Sequence, residues 1–177
     1  MDFTNLNKAC PKDPFLIPRI DQFVDATVGH PWMSILDAFQ GYYQIPLALV
    51  DQEKTAFVMP TGNYHYQVMP FGLKNAGSTY QRMMTRMFKS QLGKNIEVYI
   101  DDMVVKSKVV AEHLSDLGSI FEVLRRHKLC LNTSKCSFGV SSGKVLGYMV
   151  THHGIEVNPD QIKAINDLQH SRNPKEV

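Results

Sequence analysis

Cysteine is scarce in this 177-residue chain, which has only Cys10, Cys130 and Cys136 and no Cys-x-x-Cys pair. An odd number of cysteines without such a pair favours free thiols in a reducing compartment and argues against a disulfide framework. Long apolar runs are also missing, and the first residues lack the basic-then-apolar order of a signal peptide. These absences exclude a small disulfide-stapled protein and predict no membrane partner.

The chain has no large excess of charge of either sign. Its 19 lysines and arginines nearly balance 17 aspartates and glutamates, which leaves a net charge of +2. Hydrophobic residues make up 44% and charged residues 20%, so the sequence can bury a core and is not that of a disordered segment. A near-neutral total still permits a nucleic-acid partner, because binding needs only a local basic track.

Apolar periodicity predicts two long helices within a series of short strands. The first helix follows Asn75, and the second carries Leu114, Leu117 and Leu124 on its apolar stripe. Short helices are predicted over 20–26 and from 158 onward, and strands over 32–36, 44–49, 55–59, 64–69, 96–100, 103–106, 129–131, 136–138 and 145–150. The helices are too few for a doubly wound parallel sheet, so the order predicts an α+β fold with an antiparallel sheet backed by helices.

Three aspartates stand where predicted strands end. Asp37 closes the apolar run 32–36, and Asp101 and Asp102 lie between two strands. If the strand of Asp37 lies beside that hairpin, the three carboxylates converge at one sheet edge. Such a cluster needs cations, and two Mg²⁺ ions about 3.5–4 Å apart would suit phosphoryl or nucleotidyl transfer. Taken singly, each aspartate is better explained as a turn former, a helix cap or a solvated hairpin residue, and it is their company that favours a metal site.

Six ordered motifs resemble those of reverse transcriptases. Residues 99–102 (YIDD) are similar to the YxDD box, and 36–45 (LDAFQGYYQI) and 69–76 (MPFGLKNA) resemble the first catalytic motif and the following loop-to-helix motif in their gypsy-class forms. Three further segments are similar to the fingers motif, the NxxKC stretch and the primer-grip box, namely 6–8, 132–136 and 146–148. The order and the coverage of the whole chain identify it as resembling the reverse transcriptase domain of a gypsy-class LTR retrotransposon polyprotein.

The resemblance implies a polymerase palm with partial fingers and the start of a thumb. It divides the chain into partial fingers over 1–31, palm with the first catalytic strand over 32–44, a fingers hairpin over 45–70, palm with the primer grip over 71–155 and the start of the thumb over 156–177.

The implied function is that of an RNA-directed DNA polymerase core, which performs template-directed nucleotidyl transfer with two Mg²⁺ ions or with Mn²⁺ as a substitute. Asp37, Asp101 and Asp102 would hold the metals with the Ala38 carbonyl, and Lys135 would donate a proton to pyrophosphate. A solvated surface lysine explains Lys135 equally well.

Further residues would contact the nucleotide, the primer or the template. The resemblance implies a steric gate at Tyr42, a nucleotide pocket shaped by Phe71 and Gly72, and primer or template contacts at Asn7, Leu146, Gly147 and Tyr148. Without the motif, Tyr42 would be interpreted as an ordinary core aromatic. Arg82, Arg86 and Lys89 could touch a phosphate backbone, but the solvated face of an amphipathic helix is the preferred interpretation.

One departure from the family pattern keeps other functions open. Thr4 stands where the family usually has a basic residue that contacts the template. We expect further fingers strands before Met1, and a thumb and a ribonuclease H region after Val177, in a complete polyprotein. The alternatives are a catalytically inactive remnant that retains the fold, a palm-like nucleic-acid-binding module, and a cyclase or nuclease on a similar sheet.

The expected partners are an RNA or DNA template with its primer, deoxynucleoside triphosphates and the rest of the polyprotein. The expected location is intracellular, in a cytoplasmic particle or in the nucleus.

Overall fold

The computed structural model describes residues 1–151, 154–156, 162–163 and 167. Its helices are α1 (Thr4–Ala9), α2 (Ile20–Thr27), α3 (Leu49–Gln52), α4 (Ala76–Met87) and α5 (His113–His127), with short 3₁₀ helices over Gly41–Gln44, Glu53–Thr55 and Val110–Glu112. Its strands are β1 (Trp32–Asp37), β2 (Phe57–Met59), β3 (Gly62–Tyr64), β4 (Ile96–Tyr99), β5 (Asp102–Ser107), β6 (Ser137–Val140), β7 (Ser142–Val145), β8 (Tyr148–Thr151) and β9 (Gly154–Glu156).

The central sheet has four antiparallel strands in the order β4-β5-β1-β6. Strands β1 and β5 pair along their whole length, from Trp32 opposite Ser107 to Asp37 opposite Asp102. The hairpin of β2 and β3 forms a second sheet, and β7-β8-β9 form a third. The register of the central sheet therefore carries the end of β1 to the start of β5, where the aspartates lie.

Both faces of the central sheet are covered, which explains why β1 is a nearly continuous apolar run. Neighbouring residues of a strand point to opposite faces, so Met103 and Val105 face one side and Val104 the other. The first side packs against α4 and α5 through Leu36, Met103, Val105, Tyr80, Met84, Phe88, Leu117, Ile120 and Leu124. The second side packs against α2 and the third sheet through Met33, Ile35, Val104, Phe23, Val24, Val145 and Val150.

A buried polar relay also joins α5 to the sheet. Gly139 N–H donates to Ser34 Oγ at 3.1 Å, and Ser34 Oγ lies 2.8 Å from His113 Nε2. His113 Nδ1 lies 3.0 Å from Ser107 Oγ, which donates to Asp116 Oδ2 at 2.6 Å. Because Ser107 donates to the carboxylate, Nδ1 carries the proton and Nε2 accepts, so a neutral His113 satisfies the whole chain.

The sequence prediction was wrong for four strands. Residues 64–69 share only Tyr64 with β3 and form no strand beyond it. Residues 44–49 form no strand, because the Ala48 carbonyl accepts from the N–H groups of residues 51 and 52 and starts α3, which leaves one bridge between Pro46 and Val68. Residues 129–131 contribute only a bridge from Leu131 to Ala38. Residues 145–150 are interrupted by a turn between β7 and β8.

Two predictions concern helices. Leu114 does not lie on the buried stripe of α5, since it is 81% exposed. The helix predicted from 158 lies outside the described residues, apart from isolated positions. None of the helices in the described part of the chain is long and apolar enough to cross a membrane.

Candidate active site

The three predicted aspartates lie at one end of the central sheet. Asp37 is the last residue of β1, and Asp102, directly opposite it in register, is the first residue of β5. Tyr99 pairs with Asp102 across the β4–β5 hairpin, so Ile100 and Asp101 form its two-residue turn. The structure thus brings together the carboxylates of Asp37, Asp101 and Asp102.

The turn has a strained backbone that a buried side chain holds in place. Ile100 has a φ of 51°, a left-handed conformation that costs a β-branched residue about 1–2 kcal/mol. Gln81 on α4, which is 1% exposed, accepts from the Ile100 N–H at 2.6 Å and donates to the Val98 carbonyl at 3.0 Å. The Gln81 amide thus satisfies the Val98 carbonyl and the Ile100 N–H, which have no strand beside them. Through these two bonds, α4 fixes the turn that carries Asp101.

Burial and mutual repulsion perturb the carboxylates. Burial raises the pKa of Asp101 to about 6, with further contributions from Asp37 and Asp102. Burial, and then Asp37, also raises the pKa of Asp102. Lys135 opposes both effects, and its Nζ lies 3.9 Å from Asp37 Oδ2. The site therefore favours an added positive charge.

One oxygen of Asp101 lies in a confined space beside Gly41. Asp101 Oδ1 and the Tyr80 hydroxyl are both buried, and neither has a hydrogen-bond partner in the described part of the chain. A Cβ added at Gly41 would overlap Asp101 Oδ1 and lie 2.8 Å from the Tyr80 hydroxyl oxygen. Only glycine leaves room for these two oxygens at this position.

The donor set fits Mg²⁺, which prefers hard oxygen ligands. Within residues 1–151 and the few described beyond them, no three Asp, Glu, His or Cys side chains already surround one point as ligands of a single ion would. Magnesium sites that act on phosphates often use only one or two carboxylates and complete the shell with water and substrate oxygens. The orphaned oxygen and the raised pKa of Asp101 agree with a site that is completed by cations.

Backbone hydrogen bonds hold the segment after Asp37 against residues 130–132. Asn132 N–H donates to the Asp37 carbonyl at 2.9 Å, and Phe39 N–H donates to the Cys130 carbonyl at 3.0 Å. These two bonds flank the bridge between Ala38 and Leu131, so the bridge does not use the Ala38 carbonyl.

Aromatic rings form a wall next to Asp101. The ring of Tyr42 lies 4.9 Å from that of Phe71 and 5.5 Å from that of Tyr80, measured between centroids. Burial, and then Asp101, raises the pKa of the Tyr42 hydroxyl. Gly72, with a φ of 94°, provides the left-handed turn that presents half-exposed Phe71.

The side chain of Asn7 is hydrogen-bonded to the loop that carries Phe71. Its side-chain amide donates to the Gly72 carbonyl at 2.7 Å and accepts from the Lys74 N–H at 2.8 Å. The Lys74 ammonium in turn donates to the Cys10 carbonyl at 2.6 Å. The N-terminal segment therefore holds this loop, and both functional groups of Asn7 are in use.

The chain matches a known protein family. The model of the family described as reverse transcriptase (RNA-dependent DNA polymerase) matches residues 1–150. The chain belongs to this family.

Its relatives include retrotransposon polyproteins. The chain is 33% identical over 177 residues to the retrovirus-related Pol polyprotein from transposon 297 of Drosophila melanogaster, and 31% identical over 167 residues to that from transposon gypsy of the same species. The matches cover 100% and 94% of the chain but only 17% and 16% of these relatives. The chain thus spans about a sixth of their length, and the predicted relation to gypsy-class polyproteins is confirmed.

Solved structures show the same fold. The foamy viral protease–reverse transcriptase in complex with RNA/DNA hybrid superposes with a TM-score of 0.90 and 22% identity, over 99% of this chain and 24% of that one. A foamy viral protease–reverse transcriptase dRH in complex with double-stranded DNA gives a TM-score of 0.91, also at 22% identity. The predicted α+β palm-type fold, an antiparallel sheet with helices, is confirmed.

Two predictions on this reverse transcriptase domain need comment. Arg82 does not lie on a free solvated face, because it forms an ion pair with Asp13 and stacks over the Phe15 ring. The segment 146–148 lies at the tip of the β7–β8 hairpin, where Leu146 and Gly147 have φ values of 50° and 86° and Tyr148 is partly exposed.

Sequence reasoning missed Gln81 and the Tyr80 hydroxyl. Both follow the loop-to-helix motif on α4, and helical periodicity marks Tyr80 only as a core aromatic. A glutamine on the buried side of a helix was the available signal, because buried amides require partners.

Proposed function

We propose that this domain is an RNA-directed DNA polymerase core that performs template-directed nucleotidyl transfer by a two-metal mechanism. The observation that supports the proposal is the meeting of three carboxylates at one sheet edge, with Asp37 opposite Asp102 and Asp101 in the adjoining turn. Burial and repulsion raise the pKa of Asp101 to about 6, and a bound cation would stabilise its ionised carboxylate.

Asp37, Asp101, Asp102 and the Ala38 carbonyl would hold two Mg²⁺ ions, or Mn²⁺ in their place, which when bound lower the pKa of the attacking hydroxyl and neutralise the leaving pyrophosphate. The Ala38 carbonyl is available for this role because its bridge to Leu131 uses neighbouring groups. Lys135 is proposed to donate a proton to the leaving group, since its ammonium already lies beside Asp37.

The aromatic wall is proposed to form the nucleotide pocket. Tyr42 would lie under the sugar and exclude a 2′-hydroxyl, which selects deoxynucleotides. Phe71 and Gly72 would shape the pocket, and Asn7 would set the position of their loop through its two hydrogen bonds. In this proposal Asn7 acts on the template and nucleotide indirectly, by holding the loop.

The remaining segments are proposed to hold nucleic acid. Residues 1–31 and 45–70 would belong to the fingers, 32–44 and 71–155 to the palm, and 156–177 to the start of the thumb. Leu146, Gly147 and Tyr148 would hold the primer end from their hairpin. The proposed partners are an RNA or DNA template with primer, deoxynucleoside triphosphates, and the thumb and ribonuclease H regions of a polyprotein.

Primer extension on an RNA template with Mg²⁺ and deoxynucleotides tests the proposal. The 177-residue chain would be compared with Asp101→Asn, after circular dichroism has shown that both are folded. Extension by the parent alone is expected, and the chemical nature of the product provides a second check, since a cyclase or nuclease would release cyclic nucleotide or cleaved strand. Extension that survives Asp101→Asn would refute the mechanism, and a folded but inactive parent would favour the inactive remnant.

A further inference from the structure

Tyr80 places a polar atom in the core with nothing to pair with it. The residue is 0% exposed, and its hydroxyl has no partner among the described residues. The ring is held edge-on against Tyr42 at 5.5 Å. Burying an unpaired hydroxyl costs free energy, whereas phenylalanine would fill the same space without that cost.

Asp101 Oδ1 is a second unpaired atom in the same place. A Cβ on Gly41 would overlap this oxygen and come within 2.8 Å of the Tyr80 hydroxyl oxygen, so both atoms border one small gap over Gly41. One of them is a donor and the other an acceptor, and the two lie on elements that are fixed relative to each other. Tyr80 is followed on α4 by Gln81, which holds the Ile100 N–H next to Asp101.

We propose that Tyr80 is a positioning residue for Asp101. The two oxygens are not hydrogen-bonded to each other in this structure, and the hydroxyl donates to Oδ1 across the gap over Gly41 when the carboxylate turns to bind a cation. The donation fixes Oδ1 and turns Oδ2 toward the cation, so that one turn of α4 sets both the backbone and the carboxylate of the catalytic turn. This inference rests on the metal site of the proposed function. Removing a group that hydrogen-bonds to a metal ligand and orients it commonly weakens the metal affinity by 10–100-fold.

Titration of the 177-residue chain with Mn²⁺, followed by electron paramagnetic resonance of the free ion, tests this role. Tyr80→Phe removes only the hydroxyl, and we expect it to weaken Mn²⁺ binding about tenfold. In an Asp101→Ala background the same substitution should change the affinity less than twofold, because the acceptor is gone. Tyr66→Phe is the matched control, since it removes a tyrosine hydroxyl in the aromatic cluster of Phe3 and Phe57 and should leave binding unchanged.

Thermal unfolding without metal separates positioning from packing. If the Tyr80 hydroxyl has no role in positioning Asp101, Tyr80→Phe would leave the Mn²⁺ affinity unchanged and stabilise the metal-free fold. That pair of results would overturn the proposal. An equal loss of affinity in the parent and Asp101→Ala backgrounds would also overturn it, as would a Tyr80→Phe chain that no longer folds or a parent that binds no Mn²⁺. A parent that binds Mn²⁺ through Tyr80 but extends no primer would refute only the proposed function.

Discussion

Asp101 destabilises the metal-free fold, so its replacement by an uncharged residue should stabilise the chain. Burial, Asp37 and Asp102 raise the pKa of Asp101 from 3.8 to about 6. A difference of one in pKa corresponds to about 1.4 kcal/mol, so the complete effect would be about 3 kcal/mol. Because the side chain is only half-buried and solvent screens part of the repulsion, we expect Asp101→Asn to raise the free energy of unfolding at pH 7 by about 1–2 kcal/mol.

The sign of the effect fixes its pH dependence. The pKa of Asp101 is higher in the folded chain than in the unfolded chain, so the folded state binds the proton more tightly. The resulting stability is fully present below pH 3.8 and is lost as the pH rises through about 6. The advantage of Asp101→Asn should therefore be small at about pH 4 and complete at pH 7.

Urea unfolding in the presence of EDTA, followed by far-ultraviolet circular dichroism, measures the difference at both pH values. Asp25→Asn on the exposed side of α2 is the matched control and should change the free energy of unfolding by less than about 0.5 kcal/mol. An Asp101→Asn chain that is no more stable than the parent at pH 7, or equally more stable at both pH values, would refute the reasoning.

Two further predictions concern buried polar groups and use the same unfolding assay. Burial lowers the pKa of His113, so the unfolded chain takes up a proton first below about pH 6.5. The free energy of unfolding of the parent, taken relative to that of His113→Gln, should therefore fall from pH 7 to pH 5, and a difference that stays constant would contradict this. Gln81→Leu leaves the Val98 carbonyl and the Ile100 N–H without partners and should lower the free energy of unfolding by about 2–4 kcal/mol, whereas an effect as small as that of exposed Gln22→Leu would exclude a bracing role.

The sequence predicts the elements that periodicity and turn chemistry specify locally. The central strands β1, β4 and β5 and the helices α4 and α5 follow from apolar patterns, and the meeting of the aspartates follows from placing β1 beside the β4–β5 hairpin. The pattern fails where one residue breaks it. Leu146 and Gly147 adopt left-handed conformations that end β7, and Pro46 has no N–H to continue a strand.

The site features that the sequence does not predict depend on residues far apart in the chain. Arg82 pairs with Asp13, 69 positions away, so its helix position alone says only that it is basic and on the outside. The relay from Ser34 to His113 spans 79 positions. The gap that Tyr80 shares with Asp101 exists only because Gly41, on a third element, has no side chain to fill it, and no local pattern encodes such a convergence.

The bond between Gln81 and the Ile100 amide couples the motions of the β4–β5 turn to those of the core. In most surface hairpins the turn amides exchange with solvent through small local openings. Here the Ile100 amide is released only when a fully enclosed glutamine leaves its place on α4, so its hydrogen exchange should fall in the slow class that reports opening of the whole domain. The turn has the backbone conformation of a loop, but we expect its Ile100 amide to exchange with solvent as slowly as the amides of the helix that carries Gln81.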